Sequence, residues 1–428
     1  MPDWSFRSRG RRAAALLLGL LLLAAAARGS LRGALVARAR TSQERALLER
    51  ALRLADDDAA LHHLLAQWEQ FSLEGGSPER ALLHYRRAAQ LNPHESLYWL
   101  DLADALLLAG DVGGAADAVA QALQVDPRTP ETLWRAGNFW LRAGQPARSY
   151  PYFHRALTAQ PNLAPLVVRV SHRLLGDPDL VLRQALPAQP RFFLVYLRYL
   201  LTIEDNAAAA RVWDRLMEQG GSFQLRQGLL YLDSLIRHQQ APQAEKVWND
   251  LKRLGLVDAG SSSRDGELLH NPDLRQPILN GGFGWRAVVV ANVNLNRGPA
   301  RPGSQTPALV IRFLGEKNLE YRHFFQYVLV EPNRRYRFQA WMSTEEITTE
   351  SGPRLEVAEV GPGGSVARSP GLVGSHGWFL EQVELTTGPQ TRLLRVAIVR
   401  LRSRRVSNQI RGTVRVSEFS LRRLERGS

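Results

Sequence analysis

The chain has 428 residues, 45% of them hydrophobic, with no cysteine and a formal net charge of +14. That apolar share excludes disorder as a global state, and the missing thiols exclude disulfides, thiolate metal sites and a cysteine nucleophile. The length suggests two or three domains, and the charge divides unevenly, with about +7 over residues 1–40, about −3 over 41–270 and about +10 over 271–428.

Residues 1–40 read as an export segment. Arg7, Arg9, Arg11 and Arg12 precede an uncharged apolar run from Ala13 to Ala27, the order of a secretory n-region and h-region. A run this short falls below the roughly 20 residues of a full span, and Ala25-Ala26-Ala27 supplies a small-residue cleavage pattern. A cleaved signal and an uncleaved signal anchor both fit, and the anchor is favoured. The very short leading tail places the bulk of the chain on the periplasmic side of a bacterial inner membrane.

Residues 41–260 carry a repeat. "LNP" ends at Pro93, "VDP" at Pro127 and "AQP" at Pro161, a period of 34 residues. Within each unit a small residue, a bulky one and an alanine recur at fixed spacing: Ala81, Tyr85, Ala88; Ala115, Val119, Ala122; Ser149, Phe153, Ala156. Small residues let paired helices approach, and proline ends the second helix because it cannot continue the hydrogen-bond ladder. The period breaks after Phe153 and returns in "AARVWDRL" and "AEKVWNDL", with Trp213 and Trp248 in the bulky place.

Together with "WLDLADALLLAGD" from Trp99, these units resemble the tetratricopeptide repeat family. The resemblance implies an α-solenoid whose concave groove holds a protein partner. In the family register that groove displays His63, Ala66, Gln70, Leu97, Leu100, Asp104, Glu131, Trp134, Asn138 and Arg142. The co-chaperone branch grips a carboxylate with lysines, and no lysine precedes Lys246, so that mode is not expected. Trp134 is either a partner anchor or packing between repeats.

Residues 261–272 read as a Gly/Ser-containing linker, after which periodicity changes to alternation. Runs such as "WRAVVVANVN", "PALVIRFLG", "RRYRFQAWMS" and "RLLRVAIVRLR" give about eight strands over 273–428, an antiparallel β-sandwich. "LNGGFGW", "FFQYVLVEPNRRYRFQAWM", Trp378 before "EQVELTT" and a closing "IRGTVRVSEFSL" resemble jelly-roll carbohydrate-binding modules and galactose-binding-like domains. The fold class expected is therefore multidomain, α then β: anchor, solenoid and jelly-roll sandwich.

The resemblance implies contact with an envelope polysaccharide, and alternation nominates the residues. Phe324, Gln326, Val328 and Val330 point inward with Tyr336, Phe338, Ala340 and Met342. Phe325, Tyr327, Arg337, Gln339 and Trp341 are then expected to share an outward face on which sugar rings can stack. Eleven arginines face two glutamates between Arg392 and Arg426, and Arg402, Arg404 and Arg405 are the polyanion-binding candidates. A structural calcium is conceivable through Glu418 alone, so no cofactor and no metal site are expected. Scattered histidines and glycine turns without a following Lys-Ser/Thr argue against an enzyme, and export argues against nucleic acid as partner.

Overall fold

The computed structural model describes residues 9–42, 44–72, 75–258, 266–406 and 408–425, in two compact units, 1–188 and 189–428. Arg7 of the basic leader, residues 261–265 of the expected linker and Arg426 of the basic end lie outside the described residues.

The first unit begins with α1 (Arg9–Ser42), of which Ala13–Ser42 is long enough, and over its most apolar 18 residues (mean hydropathy 2.0) apolar enough, to cross a membrane. The helix does not stop at the apolar run. Its last turns pack Leu35, Val36 and Ala39 against Leu48 and Ala51 of α2 (Arg45–Leu52) and Leu61 and Leu65 of α3 (Ala59–Phe71). Arg32 and Arg40 reach Asp57 and Asp58 at 2.8 and 2.6 Å, so the arginines after the run tie the span to the first repeat.

Helix pairs follow: α3 with α4 (Pro78–Leu91), α5 (Ser96–Leu108) with α6 (Val112–Val125), and α7 (Pro130–Arg142) with α8 (Tyr150–Ala159). Asp58, Ser77 and Asp111 cap α3, α4 and α6 by accepting backbone N–H groups of the first turn. The repeated small and bulky positions are buried as the pattern requires, including Tyr85, Val119 and Phe153. Gly137 shows why a small residue is needed, because a Cβ there would lie 2.5 Å from the Phe153 ring. The break in period is α9 (Ala164–Leu175), the short α10 (Pro178–Leu180) and one π-helical turn over Val181–Ala185.

The second unit resumes the pairing with α11 (Pro190–Thr202) and α12 (Asn206–Glu218), then α13 (Leu225–Arg237) and α14 (Ala241–Arg253). Trp213 is fully buried and its indole N–H donates to Asp250 at 2.8 Å, which links one pair to the next.

Among the described residues ten strands follow: β1 (Arg286–Ala287), β2 (Val293–Gly298), β3 (Ala308–Leu314), β4 (Tyr321–Leu329), β5 (Arg335–Ile347), β6 (Arg354–Glu359), β7 (Val366–Arg368), β8 (Gly374–Thr386), β9 (Leu393–Arg400) and β10 (Arg411–Leu424). They form two antiparallel sheets, β1-β4-β9-β6-β7 and β2-β3-β10-β5-β8. "WRAVVVANVN", expected as one strand, is two strands in different sheets. Val289 is 96% exposed in the crossing and Asn292 takes a left-handed φ of 69°, so the chain leaves one sheet and enters the other there. Between the sheets lie Phe324, Val328, Val330, Tyr336, Phe338, Ala340 and Met342 of the inward set that alternation assigns, with Val396 of β9 in the same core.

"NGGFGW" is the seam between helices and sandwich. Trp285 stacks on Phe324 with ring centres 4.7 Å apart and donates to the Asn271 carbonyl at 3.0 Å. Gly281 and Gly282 lie against Leu229, Leu232 and Trp248, while Phe283 and His270 meet Trp248 edge-on at 5.7 and 5.4 Å. Asp233 of α13 accepts from the Gly282 N–H at 2.7 Å and from Arg286 at 2.6 Å.

Candidate functional site

The first helices α3, α5 and α7 carry a continuous polar ladder. His63 Nε2 donates to Asp101 at 2.6 Å, and Arg135 bridges Asp101 at 2.6 Å and Asp104 at 2.5 Å. Arg142 then closes on the other oxygen of Asp104. Burial by itself raises the Asp101 carboxyl, but the His63 hydrogen bond and the Arg135 charge outweigh it and hold the group below the ordinary carboxylate range. The carboxylates and guanidiniums of the ladder are charged at neutral pH and hold one another in place.

Of the residues that the repeat register nominates, His63, Asp104 and Arg142 belong to this ladder, although His63 is itself buried. Leu97 and Glu131 are exposed, and Gln70 is half-buried at the end of α3. Leu100 and Ala66 are a correction: both are buried, so neither lines a surface. Trp134 is half-buried with its ring 5.1 Å from that of Phe153, and Asn138 donates to the Trp134 carbonyl at 3.0 Å. The register missed Asp101 and Arg135. They lie 34 residues apart, one repeat, and their opposite charge was the available signal.

Beside the ladder, His62 and His84 form a pair with Nδ1 atoms 2.9 Å apart, and His62 Nε2 lies 3.0 Å from the Asp56 carbonyl. A carbonyl only accepts, so neutral His62 carries its proton on Nε2 and accepts at Nδ1 from His84. Burial lowers both pKa values, and the Arg87 charge lowers that of His62 further against the Asp56 carbonyl. The folded pair therefore binds fewer protons than the unfolded chain, and its stability is complete above the ordinary histidine value of 6.5 and falls as pH drops through the lower folded values. Amide hydrogen exchange over α3 and α4 is expected to be faster at pH 5.5 than at 7.5 after correction for intrinsic rates. His84→Leu is expected to flatten that difference.

The aromatics expected to share one outward face of the sandwich do not. Phe325 and Tyr327 are on β4 and Trp341, Gln339 and Arg337 are on β5, and these strands belong to opposite sheets. Alternation separates inside from outside, but not one sheet's outside from the other's.

On the β5 side, Trp341 and Gln339 border a cavity of about 580 Å³ with Gln276, Arg422 and Glu418. The guanidinium of Arg301 lies 4.2 Å over the Trp341 ring, and Glu418, at a bulge with φ 52°, accepts from Arg301 and Ser304. The carboxylate nominated for calcium thus has one oxygen on a cation and the other on a hydroxyl. Arg337 is held by Glu384 at 2.7 Å. Arg402, Arg404 and Arg405 are exposed in the irregular segment before β10, whereas Arg400 is fully buried among carbonyls and Asn318.

On the β4 side, Glu356 is fully buried beneath three arginines. Arg322 donates to both of its oxygens at 2.7 Å, Arg368 at 2.6 Å and Arg395 at 2.9 Å. Arg286 lies 4.8 Å over the Tyr327 ring and 5.6 Å over that of Phe325. Among the described residues, no group of three or more His, Asp or Glu is placed to hold a metal ion.

No family model matches the chain, and no curated protein does. Among solved structures it is similar to the enzymatically active domain of bacteriophage CBA120 tailspike protein 4, at 12% identity and a TM-score of 0.29, over 37% of this chain and 22% of that one. The chain thus spans about a fifth of that domain's length. It is also similar to Pseudomonas aeruginosa PilF, at 22% identity and a TM-score of 0.27 over 55% of this chain and 92% of that one. YrrB, described as a TPR protein with an unusual peptide-binding site, aligns at 14% identity and a TM-score of 0.25 over 48% and 91% of the two chains.

Proposed function

We propose that the chain is a membrane-tethered, non-enzymatic scaffold of the bacterial envelope, whose repeats bind a protein partner and whose sandwich contacts an envelope polysaccharide during its assembly or export. The observation that carries the reading is the ladder His63, Asp101, Arg135, Asp104 and Arg142, an ordered set of charges on adjacent first helices with Leu97 exposed beside it. Fixed charges favour a defined partner because their ordering entropy is already spent. A pure protein scaffold with a structural sandwich is the second reading, favoured by the "NGGFGW" seam and by Arg301 over Trp341.

Because the chain has no cysteine, one substitution tests both orientation and surface. Leu97→Cys in the full chain is expected to react with a membrane-impermeant maleimide in spheroplasts, and native levels of the partner are expected to slow the reaction at least several-fold. Labelling only after lysis removes the periplasmic placement. Equal labelling with and without an Arg142→Glu change, which disrupts the ladder, removes the partner surface.

A further inference from the structure

Antiparallel register defines the outer face of the sheet β1-β4-β9-β6-β7 row by row. Arg286 faces Phe325, Phe325 faces Ala397, Ala397 faces Glu356 and Glu356 faces Arg368, so one row crosses all five strands. The next row holds Tyr327, Arg395, Ala358 and Val366. Arg354, two residues before Glu356, continues the face on the other side. The floor is small and closed, because Ala397, Ala358 and Glu356 are buried. Its walls are the two half-buried aromatic rings on one side, with Arg286 over part of each, and arginines on the other. The α13 end borders it, with Asp233 on Arg286 and Gln239 beside Gly361.

The charges on this face do not balance. Arg322, Arg368 and Arg395 surround a single buried carboxylate, Arg354 adds its charge beside Arg368, and Glu320 pairs with Arg322 from outside. A carboxylate has about four acceptor positions, and the four contacts from Arg322, Arg368 and Arg395 fill those of Glu356. Arg395 Nε and Arg286 Nη1 are buried with no acceptor among the described residues. The side chains of Arg322, Arg368 and Arg395 nevertheless remain 28%, 33% and 28% exposed, so their outer edges are open to a ligand. Three guanidinium planes already seated around one planar carboxylate show the ligand group that this geometry accepts.

We propose that this face binds a carboxylate-bearing sugar chain, with Arg368 and Arg395 gripping its carboxylates and Phe325 and Tyr327 meeting the apolar faces of its rings across the alanine floor. The proposal rests on the reading of the sandwich as the polysaccharide-contacting domain and adds the ligand class and the sheet. Neutral sugars lack the group that offsets the excess positive charge. Polymers with charge but no rings lack the part that the aromatics contact.

The test uses the full chain in detergent with four probes: polygalacturonate, neutral dextran, polyacrylate and polyuridylate. Polygalacturonate is expected to bind, more weakly at 200 than at 50 mM salt because exposed charges are screened, and at least tenfold more tightly than dextran, or than polyacrylate per carboxylate. Arg368→Gln and Arg395→Gln are each expected to weaken binding about tenfold. Arg215→Gln, which removes one charge from exposed α12, is expected to leave it unchanged. Arg368 lies on an edge strand, so Arg368→Lys, which keeps the charge and loses the planar fork, provides a folded variant of intermediate affinity should either glutamine change unfold the sandwich. Wild-type affinity in these variants, or equal binding of polyacrylate or polyuridylate, overturns the proposal. If dextran binds as well as polygalacturonate, the acidic class fails while the polysaccharide reading stands. Binding of neither sugar chain defeats both.

Discussion

Glu356→Ala is expected to cost the sandwich about 3 to 5 kcal/mol, the loss seen when one partner is removed from a buried ion pair. Its carboxylate is fully buried and is the shared acceptor for Arg322, Arg368 and Arg395. Deleting it leaves three like charges facing one another over a floor of alanines with their shared acceptor gone. A loss of that size moves a thermal midpoint by on the order of 10 °C for a unit of this length. Hydrogen exchange in β6 and β9 locates it. Glu356→Gln keeps the shape and one acceptor and is expected to lose less.

The same carboxylate gives the loss a pH signature. Burial pushes its pKa up, but hydrogen bonds from Arg322 and Arg368 and their charges push it down further, and the net position is below the ordinary glutamate value of 4.5. A depressed carboxylate pKa stabilises the folded state above the unfolded value, and that stability is lost as pH falls through the folded value. Wild type is therefore expected to lose stability more steeply than Glu356→Gln below about pH 4.5. Parallel acid melts of the two proteins with equal slopes would show that the arginines do not hold Glu356 ionised.

Gly282→Val is expected to uncouple the last repeats from the sandwich. Gly282 has a φ of 56°, and a Cβ there would lie 2.7 Å from Leu232, 2.9 Å from Leu229 and 3.1 Å from Trp248. The left-handed backbone costs an L-residue roughly 1 to 2 kcal/mol, and overpacking adds about 1 to 3. A branched side chain meets both penalties at once. The hydrogen bond from the Gly282 N–H to Asp233 also depends on this close approach. Urea unfolding is expected to change from one transition for residues 189–428 to two, with exchange rising first in α13 and α14. A single unshifted transition would mean that the seam yields without strain.

The sequence by itself determined the local parts of this protein. A 34-residue period, small residues where helices touch and proline after the second helix set the solenoid, because helix packing repeats with the chain. Period-two alternation fixed which residues of β4 and β5 face the core, since successive side chains in a strand must take opposite sides. Tertiary structure alone decided which sheet each strand joined. Phe325 and Trp341, outward by the same rule, therefore ended on opposite surfaces. It also brought Arg322, Arg368 and Arg395, up to 73 residues apart, onto one carboxylate through β9 and β7 pairing on either side of β6 and β4 pairing with β9. Asp101 and Arg135 stand between these cases, one period apart and oppositely charged, legible in the repeat once the neighbouring helices are known to touch. Charge counts add along a chain, but desolvation and pairing depend on which strands lie side by side, and that is fixed only when the sheets close.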